Sequence, residues 1–331
     1  MGARYGDAMR AVIAPEPGGL EALQVVELPI PEPGEGEVLI GIEAAGLNRA
    51  DLLQRQGFYP PPPGITDVLG LECAGTISAI GPGVDGFSVG DPVCALLAGG
   101  GYADFVAVPA GQVVAIPSGL STVQAAGLME TTCTVWSNLV MVARLAAGET
   151  LLIHGGTSGI GTTAIQVAKQ LDVKVVATVG SDAKAAAAKD LGADVVINYR
   201  TQDFPEAMAD AGLSADVILD IIGAEYLAAN VSALATDGRL VVIGLQGGIS
   251  AELNLAALLG KRASITATSL RARPVHEKSD IVRETIRNVT PMLSSGAVSP
   301  IIHATFDIED VADAHRMLES SEHIGKLVLT L

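Results

Sequence analysis

Thr150 to Ala164 reads Thr-Leu-Leu-Ile-His-Gly-Gly-Thr-Ser-Gly-Ile-Gly-Thr-Thr-Ala, and no other stretch restricts the fold as much. Its apolar start is too short for a helix of its own and reads as a buried parallel strand. The chain then turns through Gly155, Gly156, Gly159 and Gly161 and runs on at helical spacing from Ile160 to Leu171. Gly159, Gly161 and Ala164 have the G-x-G-x-x-G/A spacing. In that pattern the first glycine permits a tight turn and the second lets backbone approach a pyrophosphate. The small third residue lets helix and strand pack closely. The helix start presents free N–H groups and the positive end of its dipole to phosphates. Lys174 to Val179 reads as a second strand, which closes a βαβ unit. Glycine-rich turns are common, but this one sits between a strand and a helix. It therefore predicts a dinucleotide grip built on Ser158, Gly159, Ile160 and Gly161, the alternative being a plain βαβ turn. Ser158 either adds a hydroxyl near the cofactor or merely favours the turn.

At 331 residues the chain is long enough for about two domains, each with its own core. No uninterrupted apolar run approaches the roughly 18 residues that a membrane span needs. Met1 to Ala8 lacks an apolar h-region, so a short extension is expected there rather than a signal peptide. A net charge of −17 argues against nucleic-acid or anionic-membrane partners, so any phosphate must be held locally by backbone N–H groups and a few basic side chains. Cys73, Cys94 and Cys133 form no C-x-x-C pair, and this sparse, odd set suggests reduced thiols in a cytoplasmic setting.

From residue 9 to about 125 the pattern is mostly β. Short apolar or alternating runs (Leu23 to Leu28, Glu37 to Ala44, Gly75 to Ile80, Asp91 to Leu97, Tyr102 to Val108) are separated by Gly/Pro-rich turns. From about 124 to 268 strands alternate with helices. The strands are expected at Leu151–His154, Lys174–Thr178, Val195–Asn198, Val217–Ile221, Arg239–Ile243 and Ser264–Thr268, with helices such as Asp182–Leu191 and Ala224–Leu234 between them. Six strands in this alternation imply a parallel, doubly wound sheet. A helix (Lys278 to Ser294), a strand near Ile301–Thr305, a helix (Ile308 to Glu319) and a last strand (Lys326–Leu331) follow. The predicted class is α/β, with residues 125–270 as a cofactor domain inserted into a β-rich domain of residues 1–124 and 271–331.

Four segments together resemble the medium-chain dehydrogenase/reductase superfamily in its zinc-independent quinone oxidoreductase branch. They are Ala45 to Leu52 (AGLNRADL), Leu69 to Gly75 (LGLECAG) with Gly81 through Val93, the glycine loop, and Ile324 to Leu329 (IGKLVL). Gln54 to Tyr59, followed by Pro60 to Pro63, is similar to the tumour-suppressor-inducible subgroup. The resemblance implies a GroES-like catalytic domain plus a Rossmann domain, a cofactor in the cleft between them, and a homodimer paired through the Rossmann sheet. Zinc-dependent relatives place a cysteine where this chain has Asn48 and a histidine where it has Leu71, and Glu130 falls near their third ligand position. Glu72 and Glu130 alone do not make a zinc site, so no metal is expected.

An NAD site usually carries an acidic residue about 20 positions past the glycine loop. Here Gly180 stands at the strand end, so no carboxylate blocks a 2′-phosphate. In the resembling family, counterparts of Ser181, Lys184 and Tyr199 contact that phosphate, which predicts NADPH. Asp182 complicates this, or simply favours the N-terminal end of the next helix. Gly244 and Leu245 end a parallel strand and are expected to touch the cofactor through backbone. Ser269, Leu270 and Arg271 form the crossing between domains and are expected to face the nicotinamide. Arg271 and Arg273 either attract phosphate or sit in solvent, and Lys326 either reaches the cleft or caps the approach of the last strand. On the substrate side, Asn48 is read as an orienting hydrogen-bonding group or a turn former, and Tyr59 as a donor to substrate or as loop packing. His154 is read as a satisfied core residue and Asp51 as a structural tie to backbone N–H groups.

The activity these expectations describe is metal-independent hydride transfer from NADPH to a quinone or related electrophile. A reductase of activated alkenes (2-enones or enoyl thioesters) and a non-catalytic nucleotide sensor are the alternatives.

Overall fold

The computed structural model describes residues 8–331, so the expected short extension before them lies outside the described residues. The chain divides into two compact units. One takes the chain up to Thr131 with Arg271–Ser294 and Pro300–Leu331, and the other takes Thr132–Leu270 with Ser295–Ser299. The first break thus falls after Thr131 rather than at 124. Ser295–Ser299 joins the second unit because Gln166 clamps Ser299 on both sides. Its Nε2 donates to the Ser299 carbonyl at 3.1 Å, and its Oε1 accepts from the Ser299 N–H at 2.9 Å.

The first unit begins with an antiparallel pair, β1 (Ala8–Ile13) and β2 (Gln24–Pro29). Then come β3 (Glu37–Gly46), α1 (Arg49–Arg55), β4 (Glu72–Ile80), β5 (Pro92–Leu96), β6 (Phe105–Pro109), β7 (Val113–Ala115), α2 (Thr122–Ala126) and α3 (Met129–Trp136). In the second unit the order is β8 (Thr150–His154), α4 (Gly159–Gln170), β9 (Lys174–Val179), α5 (Asp182–Asp190), β10 (Val195–Asn198), α6 (Phe204–Asp210), β11 (Ala215–Asp220), α7 (Leu227–Ala233), β12 (Leu234–Val242), α8 (Leu255–Lys261) and β13 (Ser264–Ala267). The chain returns to the first unit with α9 (Val275–Ser294), β14 (Ile302–Asp307), α10 (Val311–Ser320) and β15 (Lys326–Thr330). None of the helices among the described residues is long and apolar enough to cross a membrane.

The second unit's sheet runs β10-β9-β8-β11-β12-β13 with every pairing parallel. Numbered within the unit this is the 3-2-1-4-5-6 order of a dinucleotide fold, whose direction of winding reverses between β8 and β11. All five residues of β8 are buried, as a central parallel strand covered on both faces requires. Side-chain oxygens of Ser158, Ser181, Asp203 and Asn254 cap α4, α5, α6 and α8, which explains why these helices start where they do. The helix expected from Ala224 is shorter than its apolar pattern suggested. A 3-10 turn takes Ala224–Tyr226, and β12 already begins at Leu234, where a bulge opposite Ala215 lets it pair early.

The first unit is built on a sheet of order β14-β15-β3-β4-β5-β7, with β6 pairing β3. Its core gathers Ile40, Leu47, Leu52, Leu69, Tyr102 and Leu327, all within 2% of full burial. The core of the second unit packs Leu152, Val176, Ile218 and Leu240 against Phe204 and Met208.

His154 closes β8 inside this core, and its partners fix its tautomer. Its Nε2–H donates to Asn230 Oδ1 at 2.7 Å, and the Thr178 hydroxyl donates to its Nδ1 at 3.1 Å. Phe204 and Tyr226 meet its ring edge-on, each at 4.9 Å between centroids. Burial pulls it down to about 4. The unfolded chain therefore takes up a proton between about pH 6.5 and 4 that the folded chain refuses, and stability is lost as pH falls through that window. The loss reaches about 3 kcal/mol. We expect the melting-temperature gap between the native protein and a His154→Gln variant to narrow from pH 7 to pH 5. A constant gap in thermal melts would contradict this account.

Candidate active site

The C-terminal edge of the parallel sheet collects most of the predicted nucleotide residues. After β8 the chain turns left-handed at Gly155, φ +70°, a conformation that favours glycine. Gly159, the glycine expected to make that turn, already belongs to α4. Gly161 also differs from expectation. A Cβ there would overlap the Gly155 carbonyl oxygen and lie 2.7 Å from Gly156 Cα, so its bareness lets the helix press onto the turn. Ser158 Oγ accepts from the Gly161 N–H at 3.0 Å. This leaves the Gly159 and Ile160 N–H groups at the helix start without an acceptor among the described residues, two donors suited to a phosphate.

On the next two strands, Gly180 ends β9 and Tyr199 follows β10. The two touch so closely that a Cβ on Gly180 would stand 2.5 Å from Tyr199 Oη. Ser181 caps α5 by accepting from the backbone N–H of Lys184 at 3.3 Å, which sets the start of α5 beside Gly180. Asp182 is held to one side of this question, its Oδ1 accepting from Asn198 Nδ2 at 3.1 Å. Arg200, which the sequence reading passed over, follows Tyr199 and is exposed. Gly244 lies against Ile221, with its missing Cβ 2.8 Å from the Ile221 carbonyl oxygen. Leu245 is more than half exposed and, with Gly223, Leu227, Val242 and Ile249, lines a groove of about 410 Å³. Ser269 and Leu270 follow β13 at the same sheet edge.

Two of the predicted cofactor residues are used otherwise. Arg271 is 4% exposed and fully committed inside the first unit. Its Nε donates to the Ala98 carbonyl at 2.6 Å, Nη1 to the Tyr59 carbonyl at 3.1 Å and Nη2 to Gln54 Oε1 at 2.7 Å. Its guanidinium also lies 5.3 Å from the Tyr59 ring centroid. It neither seeks phosphate nor sits in solvent; it fixes the Tyr59 loop. Lys326 is 5% exposed and lies beside Glu72, which is 0% exposed, with Nζ at 2.7 Å from Glu72 Oε1. The same ammonium donates to Asn48 Oδ1 at 2.7 Å and to the Leu47 carbonyl. It is the counter-ion of a buried carboxylate.

Asn48 joins this group at both ends of its amide, since its Nδ2 donates to Glu72 Oε1 at 3.0 Å. Glu72 Oε2 accepts from the backbone N–H of Glu130 at 3.0 Å. Asp51 is the expected structural tie, with Oδ2 accepting from the Asn48 N–H at 2.7 Å and from the Tyr102 hydroxyl at 2.8 Å. Burial pushes Asp51 up to about 6, while its hydrogen bonds pull the other way, and its Oδ1 has no hydrogen-bond partner among the described residues. Burial, and then the charge of Glu72, push Glu130 up to about 8. The sequence reading considered Glu72 and Glu130 only as metal ligands and passed over Tyr102. A charged residue inside the apolar run Leu69-Gly70-Leu71-Glu72-Cys73-Ala74 was the available signal.

Comparison with known proteins bears on what this architecture is. Residues 34–118 match the alcohol dehydrogenase GroES-like domain, and residues 191–329 match the zinc-binding dehydrogenase family. The Escherichia coli quinone oxidoreductase complexed with NADPH is similar in structure, with TM-score 0.87 and 30% identity, over 98% of this chain and 100% of that one. The chain belongs to the medium-chain dehydrogenase/reductase superfamily. It is an oxidoreductase of that superfamily, whose members work with a nicotinamide nucleotide. A second superfamily structure, the CurK enoyl reductase, is similar at TM-score 0.86 and 29% identity over 97% of this chain and 99% of that one. The mycocerosic acid synthase-like polyketide synthase of Mycolicibacterium smegmatis is 32% identical over 329 residues. That match takes in 98% of this chain but 15% of the synthase, so the chain spans a small part of the curated relatives it matches.

Zinc, which one matched family implies, does not fit this donor set. Leu71 offers no ligand atom and Asn48 spends its amide on Glu72 and Lys326. The Glu72 carboxylate is already neutralised by an ammonium lodged where a cation would sit. Removing one partner of a buried ion pair strands the other charge and costs about 3–5 kcal/mol. We expect Lys326→Met to lower the melting temperature strongly and the double variant with Glu72→Gln to recover part of the loss. Equal destabilisation by the single and double variants would show that the pair is not coupled. A chelator should leave the melting temperature and turnover unchanged.

Proposed function

We propose that this chain is an NADPH-dependent reductase of quinones. The observation that carries the cofactor choice is the corner where Gly180, Ser181, Lys184 and Tyr199 meet without a carboxylate on the strand end. A 2′-phosphate bound there meets an ammonium and two hydroxyls, and the N–H groups of Gly159 and Ile160 bind the pyrophosphate. NADPH, once bound, supplies the hydride. The chain's own work is then to hold the acceptor and meet the charge that develops on its oxygen. Tyr59, its loop pinned by Arg271, is the proposed hydrogen-bond donor to that oxygen. Asn48 orients through Lys326 and Glu72.

A second reading, reduction of 2-enones or enoyl thioesters, is favoured by the similarity to the CurK enoyl reductase and to polyketide synthases. Following NADPH oxidation with a simple quinone, a 2-enone and an enoyl thioester separates the two. A kcat/KM for the thioester above that for the quinone defeats the first reading. For the cofactor site, Lys184→Ala should raise KM for NADPH about tenfold, the loss of one charge-assisted hydrogen bond. KM for NADH should barely move; an equal rise for both cofactors would place Lys184 away from the 2′-phosphate.

We also place the protein in the cytoplasm, where three buried thiols that form no disulfide stay reduced, and assign it a homodimer. The edge strand β13 is largely exposed, and α8 just before it shows Leu255 and Leu259 at 69% and 80% exposure. A second copy seated on this edge would cover them. Leu259→Glu should then shift the protein to monomer in analytical ultracentrifugation, and a monomeric native protein would refute the assignment.

A further inference from the structure

Of the three carboxyls in the first unit's polar cluster, Glu72, Asp51 and Glu130, only Glu72 has an ion-pair partner among the described residues. Around Glu130 stand Glu72 on β4, Lys326 on β15, Asp51 on α1, Arg271 just before α9 and Lys278 on α9. Lys326 is spent on Glu72, Asn48 and Leu47. Arg271 is spent on Ala98, Tyr59 and Gln54, and Lys278 Nζ donates to the Arg271 carbonyl at 3.4 Å. Glu130 itself contributes only its backbone N–H, to Glu72 Oε2. Its carboxyl makes no hydrogen bond to any described residue. A second negative charge beside Glu72, with no cation of its own, is relieved when the group keeps its proton. Burial and the Glu72 charge accordingly hold Glu130 up at about 8, so the neutral acid prevails at pH 7. Exposure distinguishes it from its neighbours. Glu72 and Asp51 are sealed at 0%, whereas Glu130 is only partly buried.

We propose that Glu130 is the proton donor of the substrate-side site, a neutral carboxylic acid that hydrogen-bonds the oxygen of a conjugated carbonyl substrate and protonates it during reduction. This rests on the reductase reading above and adds to it the class of acceptor, one whose carbonyl oxygen receives the displaced electron pair. The hydride brings two electrons to the conjugated system, and a π pair moves onto the carbonyl oxygen. The Oε–H bond of Glu130 breaks as the new O–H bond forms. Glu130 is left as a carboxylate, which water reprotonates, and the nucleotide leaves oxidised. A buried carboxylic acid kept neutral at pH 7 to act as donor is a known enzymatic device.

Two measurements test it. In the unaltered protein, infrared spectroscopy at pH 7 should show a protonated-carboxyl band that fades as pH rises through about 8 and is missing from Glu130→Gln. In steady-state kinetics, kcat/KM for the acceptor should fall above about pH 8. Glu130→Gln should lose that limb and roughly 100-fold in kcat, with KM for NADPH unchanged. Absence of the band overturns the inference whatever the activity. A present band with an unaltered pH profile in Glu130→Gln overturns the transfer step. Nucleotide binding without turnover of any quinone, enone or thioester defeats the reductase reading and the transfer step with it, a result distinguishable from the loss of the Glu130 limb alone.

Discussion

A buried ammonium holds the first unit's polar centre together. Lys326, at the start of the last strand, reaches the end of β3 at Leu47, the cap of α1 at Asn48 and the start of β4 at Glu72. Burying two charges costs several kcal/mol per ion unless the remaining donors and lone pairs are satisfied. Here they are. The ammonium has three acceptors for its three protons, and both Glu72 oxygens accept hydrogen bonds, from Lys326, Asn48 and the Glu130 backbone. The arrangement dictates its surroundings. Gly46 has to be glycine because a Cβ would overlap Glu72 Oε1 and stand 2.6 Å from the Ala126 carbonyl oxygen.

In the second unit the constraint is steric rather than electrostatic. Gly161 has no side chain because the turn of β8 into α4 lies directly against it, and Gly155 supplies the left-handed residue. Expectation assigned these duties to Gly161 and Gly159 in the other sense, one for ligand approach and one for the turn. The motif spacing survives the exchange because both duties serve a single geometry, a helix brought tightly onto a strand end with its first N–H groups facing outward.

Local signals explain what the sequence made legible. The period of two in the first unit, the alternation of apolar runs with helical spacing in the second, and Ser or Asp before helices are short-range patterns, and they located the elements to within a few residues. Gly180 was readable from its place at a strand end, whereas Ser181, Lys184 and Tyr199 came from the family resemblance alone; the pairing of β9 with β10 makes the ends that carry them neighbours. The bonding partners of Arg271 and Lys326 were not legible because they are remote. Arg271 bonds residues 173, 212 and 217 positions away, and Lys326 bonds one 278 positions away. Lys326 was read as reaching the cleft or capping the approach of the last strand, and nothing near it in sequence announces the buried carboxylate that the fold delivers to it.

Under the proposed reading, the same geometry limits which acceptors the site can serve. An isolated ketone concentrates the incoming charge on one oxygen, which a strong electrophile must meet. In this chain the residues at the matching positions are Asn48 and Leu71, with an ammonium already paired to Glu72. The donors proposed to meet a ligand are hydrogen-bond donors: the phenol of Tyr59 and the acid of Glu130. A well-placed donor contributes about 10²–10³ in rate, which falls short of polarising an isolated ketone but suits an acceptor that spreads charge over a conjugated system. Quinones and enoyl compounds share that property, so they differ in this site less by its electrostatics than by shape. Under the proposed reductase reading, what discriminates them is the room beside Tyr59, on a loop whose stiffness comes from four consecutive prolines, Pro60 to Pro63, and from the Arg271 clamp.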